Sequence, residues 1–301
     1  MRIFFYLILA IVLFVGLQQL IELKTHGFSL ERIYDKDLGF HPEWETTPPD
    51  NEEEIAQRLA QPYTFLGAGS ECFVFLSQDG KSVIKFFKLD TLRPVYLFRG
   101  LIAEDYSAYA PESASSLRKR VAGMRAFRIQ RTLNSCKCAY DHLKEETGLI
   151  YMHLNPTPIV QKTLTLYDAC GIAHSVDLQA ARFYLQERAT VWEKHLLTLK
   201  KNKEEERAKK CVDSLCDLIY RRCQKGFADR DPLCKNFGFI GDRAVEIDIG
   251  SFTVCSAMKE RRLYQRDLFF ITLLFKQWAK EHYPELVPHI SQNVMDYAQA
   301  T

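Results

Sequence analysis

Short stretches of alternating apolar and polar residues mark the part of the chain that follows residue 60. Tyr63–Leu66, Phe73–Leu76 and Ser82–Phe87 keep a period of two, which predicts β-strands with one face buried and the other exposed. Gly67 and Gly69 separate the first two stretches, and glycines in that position predict the turn of a β-hairpin. The sequence therefore predicts a small sheet that begins with this hairpin.

Longer stretches with helical patterns fill most of the remaining chain. A short helix, Glu52–Ala60, is predicted after a cap at Asp50 or Asn51, and Leu89–Pro111 is predicted to be an insertion because it is rich in proline and glycine. The other predicted helices are Ser113–Thr147, Ala180–Lys200, Glu204–Lys225, Asp267–His282 and Val287–Gln299, and the other predicted strands are Leu149–Leu154, Ile159–Leu166, Phe237–Ile240 and Ala244–Ile247.

The N-terminal stretch is apolar on every face. Ile3–Leu17 has no charged or strongly polar residue, and an extension to Ile21 includes Gln18 and Gln19. At 1.5 Å per residue the extended helix is about 28 Å long, close to the thickness of a bilayer's hydrocarbon core. We therefore expect residues 1–23 to be a single-pass transmembrane anchor that binds the membrane, with a cleaved signal peptide as the alternative. The charges beside it favour a cytoplasmic location for the rest of the chain.

Composition narrows the class of protein. The chain has 301 residues, 47% of them hydrophobic and 12% aromatic, which excludes a disordered polypeptide and allows a sizeable core. Its net charge of +2 argues against binding to nucleic acid through bulk charge. Nine cysteines at scattered spacings predict free thiols and a reducing compartment, and not a disulfide framework.

The candidate chemistry lies in the last third of the chain. Asp231 and Asn236 are five residues apart, and Asp248-Ile249-Gly250 begins twelve residues after the asparagine. Carboxylate and amide oxygens are hard donors that suit Mg²⁺. Far upstream, Gly67-Ala68-Gly69 would let backbone N–H groups approach a phosphate, and Lys85 lies in the predicted strand Ser82–Phe87.

These four patterns, in this order, resemble the motifs of the protein-kinase-like superfamily, in particular small bacterial members such as lipopolysaccharide-core kinases and aminoglycoside-type phosphotransferases. The resemblance implies an α+β, two-lobed fold, with a small antiparallel sheet in the N-lobe and a mainly helical C-lobe. The implied N-lobe, with its insertion, spans residues 60–172 and the implied C-lobe spans residues 173–301, after a linker at 24–59 that holds the short helix.

The resemblance also implies a role for each candidate residue. Gly67, Gly69 and Lys85 would bind ATP, with Lys85 near the reacting phosphates. Its acidic partner would be Glu145, with Asp141 and Glu146 as alternatives. Asp231 would be the catalytic base, and Asn236 and Asp248 would be ligands of Mg²⁺. The acceptor is left open between a protein, a sugar and a lipid headgroup. A basic helix face that includes Arg128 and Arg131 is either a solvated surface or a contact for anionic lipid.

The chain departs from the family pattern at several positions. Asp229 stands where the family has a histidine, and its closeness to Asp231 predicts that one of the two carboxyl groups has a raised pKa. Cys72 replaces the third glycine of the loop, and no Ala-Pro-Glu follows Gly250. These departures leave a second interpretation open, in which the chain is a pseudokinase that binds nucleotide or acts as a scaffold.

Overall fold

The structure is a computed structural model that describes the backbone of residues 2–34, 39–47, 49, 51–89, 112–159 and 161–299. Within these ranges, the side chains at 2, 3, 5, 7–11, 112–126, 298 and 299 are not described. The predicted insertion Leu89–Pro111 lies outside the described residues apart from Leu89, and so do four of the six basic side chains on the predicted basic helix face.

The chain divides into two compact units, each with its own secondary structure. Unit one comprises Met1–Glu45, Pro49–Gln130 and His153–Tyr184, and unit two comprises Thr46–Pro48, Arg131–Met152 and Leu185–Thr301. The helices are α1 (Arg2–Thr25), α2 (Glu52–Leu59), α3 (Glu112–His142), α4 (Lys144–Thr147), α5 (Trp192–Lys201), α6 (Glu205–Gln224), α7 (Arg261–His282) and α8 (Val287–Gln299). The strands are β1 (Tyr63–Ala68), β2 (Cys72–Ser77), β3 (Ser82–Phe87), β4 (Leu149–His153), β5 (Thr163–Tyr167), β6 (Ala173–Asp177), β7 (Phe183–Glu187), β8 (Thr190–Val191), β9 (Phe227–Asp229), β10 (Phe237–Ile240), β11 (Arg243–Glu246) and β12 (Phe252–Val254).

Seven strands form the main sheet, in the order β4-β7-β3-β2-β1-β5-β6. The pairs β1–β2, β2–β3 and β5–β6 are antiparallel, whereas β1 and β5 run parallel. The fold is therefore mixed α/β. The prediction of a two-lobed α+β fold with a small antiparallel sheet behind a transmembrane helix is wrong, because the sheet has seven strands with a parallel pair and the membrane helix is not supported.

The N-terminal helix does not support the predicted anchor. Among the side chains that the structure describes, no helix is both long enough and apolar enough to cross a membrane. The prediction of a single-pass membrane protein, and the localisation inferred from it, is wrong.

Several local predictions are confirmed. The Oδ1 of Asn51 accepts a 3.1 Å hydrogen bond from the Glu54 N–H and so caps α2, as the sequence indicated. The strand that carries Lys85 has the predicted bounds. All nine cysteines are free thiols. Cys211, Cys216 and Cys223 lie on the buried face of α6, as their spacing predicted.

One predicted helix is wrong in its first half. Ala180–Lys200 was expected to be helical, but Phe183–Glu187 forms strand β7 and the helix α5 begins only at Trp192. Four consecutive residues of β7 are buried, so the segment has apolar contacts on both faces. A short apolar run of that kind has no periodicity that separates a buried strand from a buried helix.

The core of unit two packs α5, α6, α7 and α8 against the β10–β11 hairpin. Buried residues on α6 recur every three or four positions, which gives the helix one apolar face. Arg222 is the exception, because it is charged and yet fully buried on that face. This packing holds the hairpin that positions the candidate residues described next.

Candidate functional site

The glycine loop of unit one is the turn between β1 and β2. Gly67 lies opposite Val74 at an irregularity in the strand register, and the Gly69 N–H donates a 2.9 Å hydrogen bond to the Cys72 carbonyl. A Cβ atom added at Gly67 or Gly69 would meet no described atom within 4 Å. As far as the described residues go, the backbone on this side of the loop is therefore open to a bound group.

Two lysines lie on or beside strand β3. Lys85 pairs with Val74 of β2, and its Nζ is 5.4 Å from the centre of the Tyr184 ring. Lys88 donates a 2.5 Å hydrogen bond from its Nζ to the Gly69 carbonyl and lies 4.6 Å from the Phe73 ring centre. Sequence reasoning missed Lys88, because its contact with the loop depends on the antiparallel pairing of β2 with β3. Its charge adds a cation to the glycine loop.

The loop that carries Asp231 and Asn236 follows strand β9 in unit two. Asn236 is only 4% exposed, and its Nδ2 donates to the Asp231 carbonyl at 2.8 Å. The same Nδ2 lies 3.4 Å from Asp231 Oδ2. The Asp231 carbonyl also accepts a 2.7 Å hydrogen bond from the Leu233 N–H. Because the amide nitrogen is held in this way, the Asn236 side chain keeps its oxygen as a remaining acceptor.

Asn236 and Asp248 lie at the same end of the β10–β11 hairpin. Strand β10 begins directly after Asn236, and the Ile247 N–H donates a 2.7 Å hydrogen bond to the Asn236 carbonyl. Asp248 follows Ile247 and is exposed, and its Oδ1 accepts a 3.2 Å hydrogen bond from the Gly250 N–H. Two hard oxygen donors are therefore presented by one short hairpin, as the spacing of twelve residues allows.

The segment after Asp248 is fixed by helix α3. Ile249 is fully buried, and its carbonyl accepts a 2.7 Å hydrogen bond from the hydroxyl of Ser135. The sequence contained no signal for this contact, because more than a hundred residues separate the two positions.

Asp229 is buried, and its carboxylate accepts two hydrogen bonds. Its Oδ1 accepts a 2.9 Å hydrogen bond from the Asp231 N–H and another from the Ser251 hydroxyl. Burial is the main reason that the pKa of Asp229 is raised, and the charge of Asp231 adds a smaller effect. A raised pKa in this pair is confirmed, although its main cause is burial and not the expected repulsion. Asp229 therefore links the Asp231 loop to Ser251, the residue before strand β12.

A buried ionic cluster joins the β10–β11 hairpin to helices α6 and α7. Arg222 on α6 donates to Glu246 of β11 at 2.5 Å and also to Asp267 on α7. Arg222 and Glu246 are almost completely buried; burial raises the pKa of Glu246, and the positive charge of Arg222 opposes that rise. Since two carboxyl groups share one guanidinium, the cluster links three elements of unit two with directional contacts.

Glu145 lies in the short helix α4 of unit two and is exposed over 80% of its side chain. Its Oε2 is 3.6 Å from Arg221 Nη1, and its carbonyl accepts a hydrogen bond from Arg243. The neighbouring Glu146 is buried and forms ion pairs with Arg221 at 3.4 Å and Lys225 at 2.8 Å. The pairing of Glu145 with Lys85 stays a prediction.

The structure thus brings three of the predicted residues into one hydrogen-bonded region of unit two, namely Asp231, Asn236 and Asp248. Gly67, Gly69 and Lys85 lie in unit one, where the loop and strand β3 are adjacent. The unit-two region presents the carboxylate oxygens of Asp231 and Asp248 and the amide oxygen of Asn236. Oxygen donors of these kinds suit a hard divalent cation.

The comparisons with known proteins give little further information. No protein-family profile matches the chain, and no curated protein matches it. One solved structure, the complex of Rv3197 with erythromycin from Mycobacterium tuberculosis, is similar at 12% sequence identity with a TM-score of 0.32. The alignment covers 81% of this chain and 61% of that chain, so the chain spans less than two thirds of its length. The similarity is distant and assigns neither a family nor a function.

Proposed function

We propose that the chain is an ATP- and Mg²⁺-dependent phosphotransferase of the protein-kinase-like type. The observation that carries the proposal is the hydrogen bond from Asn236 Nδ2 to the Asp231 carbonyl, combined with the Ile247 to Asn236 contact that precedes Asp248. In this arrangement Asn236 and Asp248 can offer oxygen ligands to Mg²⁺, and the exposed Asp231 can offer a carboxylate as the base. Phosphoryl transfer needs both a bound metal ion and a group that orients the attacking hydroxyl.

In this proposal Asn236 and Asp248 would hold Mg²⁺. The donor set fits the ion, because the Asn236 nitrogen is already engaged and both groups offer oxygen. The bound ion would neutralise charge on the phosphate groups. Asp231 is exposed, so its carboxylate can accept the proton of an acceptor hydroxyl as that oxygen forms its bond to the γ-phosphorus and ADP leaves.

The nucleotide would be bound by unit one. Gly67 and Gly69 leave open space above the backbone of the loop, and Lys88 adds a positive charge at the Gly69 carbonyl. Lys85 would supply a further cation to the phosphates, as in the family that the motifs resemble. The acceptor stays open between a protein, a sugar and a lipid headgroup.

A second candidate function is a pseudokinase that binds nucleotide or a partner without transferring phosphate. The observation in its favour is Asp229, which is buried with a raised pKa where the family has a histidine. The retained Lys85, Asp231, Asn236 and Asp248 favour the active enzyme, because each has a role in transfer that a scaffold does not require.

The test uses the purified full chain with radiolabelled γ-phosphate ATP and Mg²⁺, with and without an extract as a source of acceptor. The variant Asp248→Asn should reduce transfer by at least about 100-fold, since it replaces a charged ligand of Mg²⁺ by a neutral one and so weakens binding of the ion that stabilises charge in the transition state. The matched control Asp217→Asn changes an exposed carboxylate on α6 that pairs with Arg221, and it should retain activity. ATP-dependent thermal stabilisation without transfer would favour the scaffold, and the absence of both binding and transfer would contradict each version.

A further inference from the structure

A cluster of three potential metal ligands lies in unit two, on elements that the proposed function does not use directly. His195 is on α5, Cys211 is on α6, and Asp242 is in the turn between β10 and β11. The His195 Nε2, the Cys211 Sγ and an oxygen of Asp242 lie within 4.8 Å of one another. From this geometry we propose that His195, Cys211 and Asp242 form a zinc site with three protein ligands.

The distances are close to those of a metal site. Asp242 Oδ1 is 3.7 Å from His195 Nε2 and 4.0 Å from Cys211 Sγ. Donor atoms around a tetrahedral Zn²⁺ are about 3.3–3.6 Å apart, given bonds of about 2.0 Å to nitrogen or oxygen and about 2.3 Å to sulfur. The two distances that include Asp242 would therefore have to shorten by about 0.5 Å or less, and the distance between His195 and Cys211 is at most 4.8 Å. Water would complete the fourth position.

The histidine provides an independent sign of a ligand. Its side chain is 15% exposed, and its Nε2 is buried without a hydrogen-bond partner among the described residues. A buried ring nitrogen without a partner is costly, because it has lost water and gained nothing in exchange. The ring is also 5.0 Å from that of Phe239, which limits its orientation.

The charges around the cluster also suit a divalent cation. Arg207 donates to both carboxylate oxygens of Asp242, at 2.7 Å and 3.1 Å, and it also pairs with Glu204. Each carboxylate oxygen has a second lone pair, so Asp242 can bind a metal while Arg207 orients it. With Cys211 as a thiolate, the positive charges of Zn²⁺ and Arg207 equal the negative charges of Cys211, Asp242 and Glu204.

The ligand types select zinc over magnesium. A thiolate and an imidazole are soft and borderline donors that favour Zn²⁺, whereas Mg²⁺ prefers oxygen alone. The metal would join α5, α6 and the turn of the β10–β11 hairpin. That hairpin carries Asn236 before its first strand and Asp248 after its second, so the zinc site would hold its far end in place. The inference does not depend on phosphate transfer.

The experiment uses the tag-free full chain, stripped with a chelator and then given one equivalent of Zn²⁺ or Co²⁺ in the presence of excess Mg²⁺. We expect one zinc per chain after gel filtration, and a thiolate-to-cobalt charge-transfer band in the near ultraviolet. Cys211→Ser should remove the band, and His195→Gln should weaken zinc binding at least about tenfold. Cys255 is a half-buried cysteine of unit two outside the cluster, so Cys255→Ser should change neither the cobalt band nor the zinc affinity.

Two results would overturn the proposal. One is a wild-type chain that retains no zinc after gel filtration, and the other is a Cys211→Ser variant that keeps the cobalt band. If Cys211→Ser does not fold, His195→Gln provides the test through its zinc affinity and through loss of the zinc-dependent rise in Tm. Asp248→Asn should bind zinc like the wild type, which separates failure of this site from failure of the proposed phosphotransferase.

Discussion

The Nδ2 of Asn236 donates a 2.8 Å hydrogen bond to the backbone carbonyl of Asp231, and this bond closes the loop between β9 and β10. The two residues are five apart in the sequence, and the bond makes the loop into one rigid unit. Because the amide nitrogen is fixed, the amide oxygen has a defined direction. Asp231 was predicted to be the catalytic base and Asn236 a ligand of Mg²⁺. The hydrogen bond between them also fixes the shape of the loop.

Replacement of Asn236 should reduce both stability and magnesium binding. Asn236→Ala removes one of the two hydrogen bonds that the Asp231 carbonyl accepts, so we expect a loss of about 0.5–1.5 kcal/mol in the free energy of unfolding. The half-saturating Mg²⁺ concentration for ATP binding should rise by about tenfold or more. Urea unfolding and Mg²⁺ titrations measure the two effects. The control is Asn293→Ala, at a partly exposed asparagine on α8, which should need the same Mg²⁺ concentration as the wild type. If Asn236→Ala also needs the same concentration, Asn236 is not a ligand of Mg²⁺.

A methyl group at Gly67 should block a ligand without harming the fold. The position has open space and no positive φ, so Gly67→Ala should change the free energy of unfolding by less than about 1 kcal/mol. A phosphate that approaches the backbone would meet the new methyl group, so ATP affinity should fall by about tenfold or more. Gly39→Ala is the matched control, since that glycine also has open space. Calorimetric titration with ATP and Mg²⁺ measures the effect, and equal affinities for the two variants would argue against phosphate at this loop.

Removal of the buried arginine should destabilise unit two strongly. Arg222→Met leaves Glu246 and Asp267 without their shared cation, and loss of one partner from a buried ion pair costs about 3–5 kcal/mol. Arg58→Met removes a partly exposed pair with Glu54 on α2 and should cost less than about 1 kcal/mol. Chemical denaturation of the full chain measures both variants. A loss below 1 kcal/mol in Arg222→Met would show that the cluster is not needed for stability.

Buried His153 should make the stability of the chain fall in mild acid. The side chain is 2% exposed, and burial lowers its pKa from 6.5 to about 4. Above pH 6.5 the ring is neutral in the folded and unfolded chain. Between pH 6.5 and 4 only the unfolded chain takes up the proton, so stability is lost as the pH falls, by about 3 kcal/mol in all.

The measurement for His153 is urea unfolding at pH 7.5 and at pH 5. The variant His153→Phe keeps an aromatic ring beside Phe183, whose centre is 5.4 Å from that of the histidine, and should lose most of the pH dependence. His282→Gln, at an exposed histidine of α7, should keep the wild-type dependence. Equal slopes for wild type and His153→Phe would refute a neutral His153.

Local signals explain the parts of the fold that could be predicted. The cap at Asn51, the strand that carries Lys85 and the apolar face of α6 depend on residues a few positions apart. Strand β7 was not predictable in the same way, because its consecutive buried residues, Phe183 to Gln186, do not alternate with exposed ones. The apolar N-terminal stretch suggested a membrane helix from composition alone, which the described side chains of α1 do not support.

The sequence by itself determined which residues can do chemistry and the local elements that carry them, since Asp231, Asn236 and Asp248 are positioned by one loop and one hairpin. Only the tertiary structure decided which groups are buried and which distant residues meet. The Ser135 contact with Ile249, the burial of Asp229 and the meeting of His195 with Cys211 and Asp242 all depend on packing between separate elements. Burial and long-range contacts are properties of that packing, and no short stretch of sequence contains them.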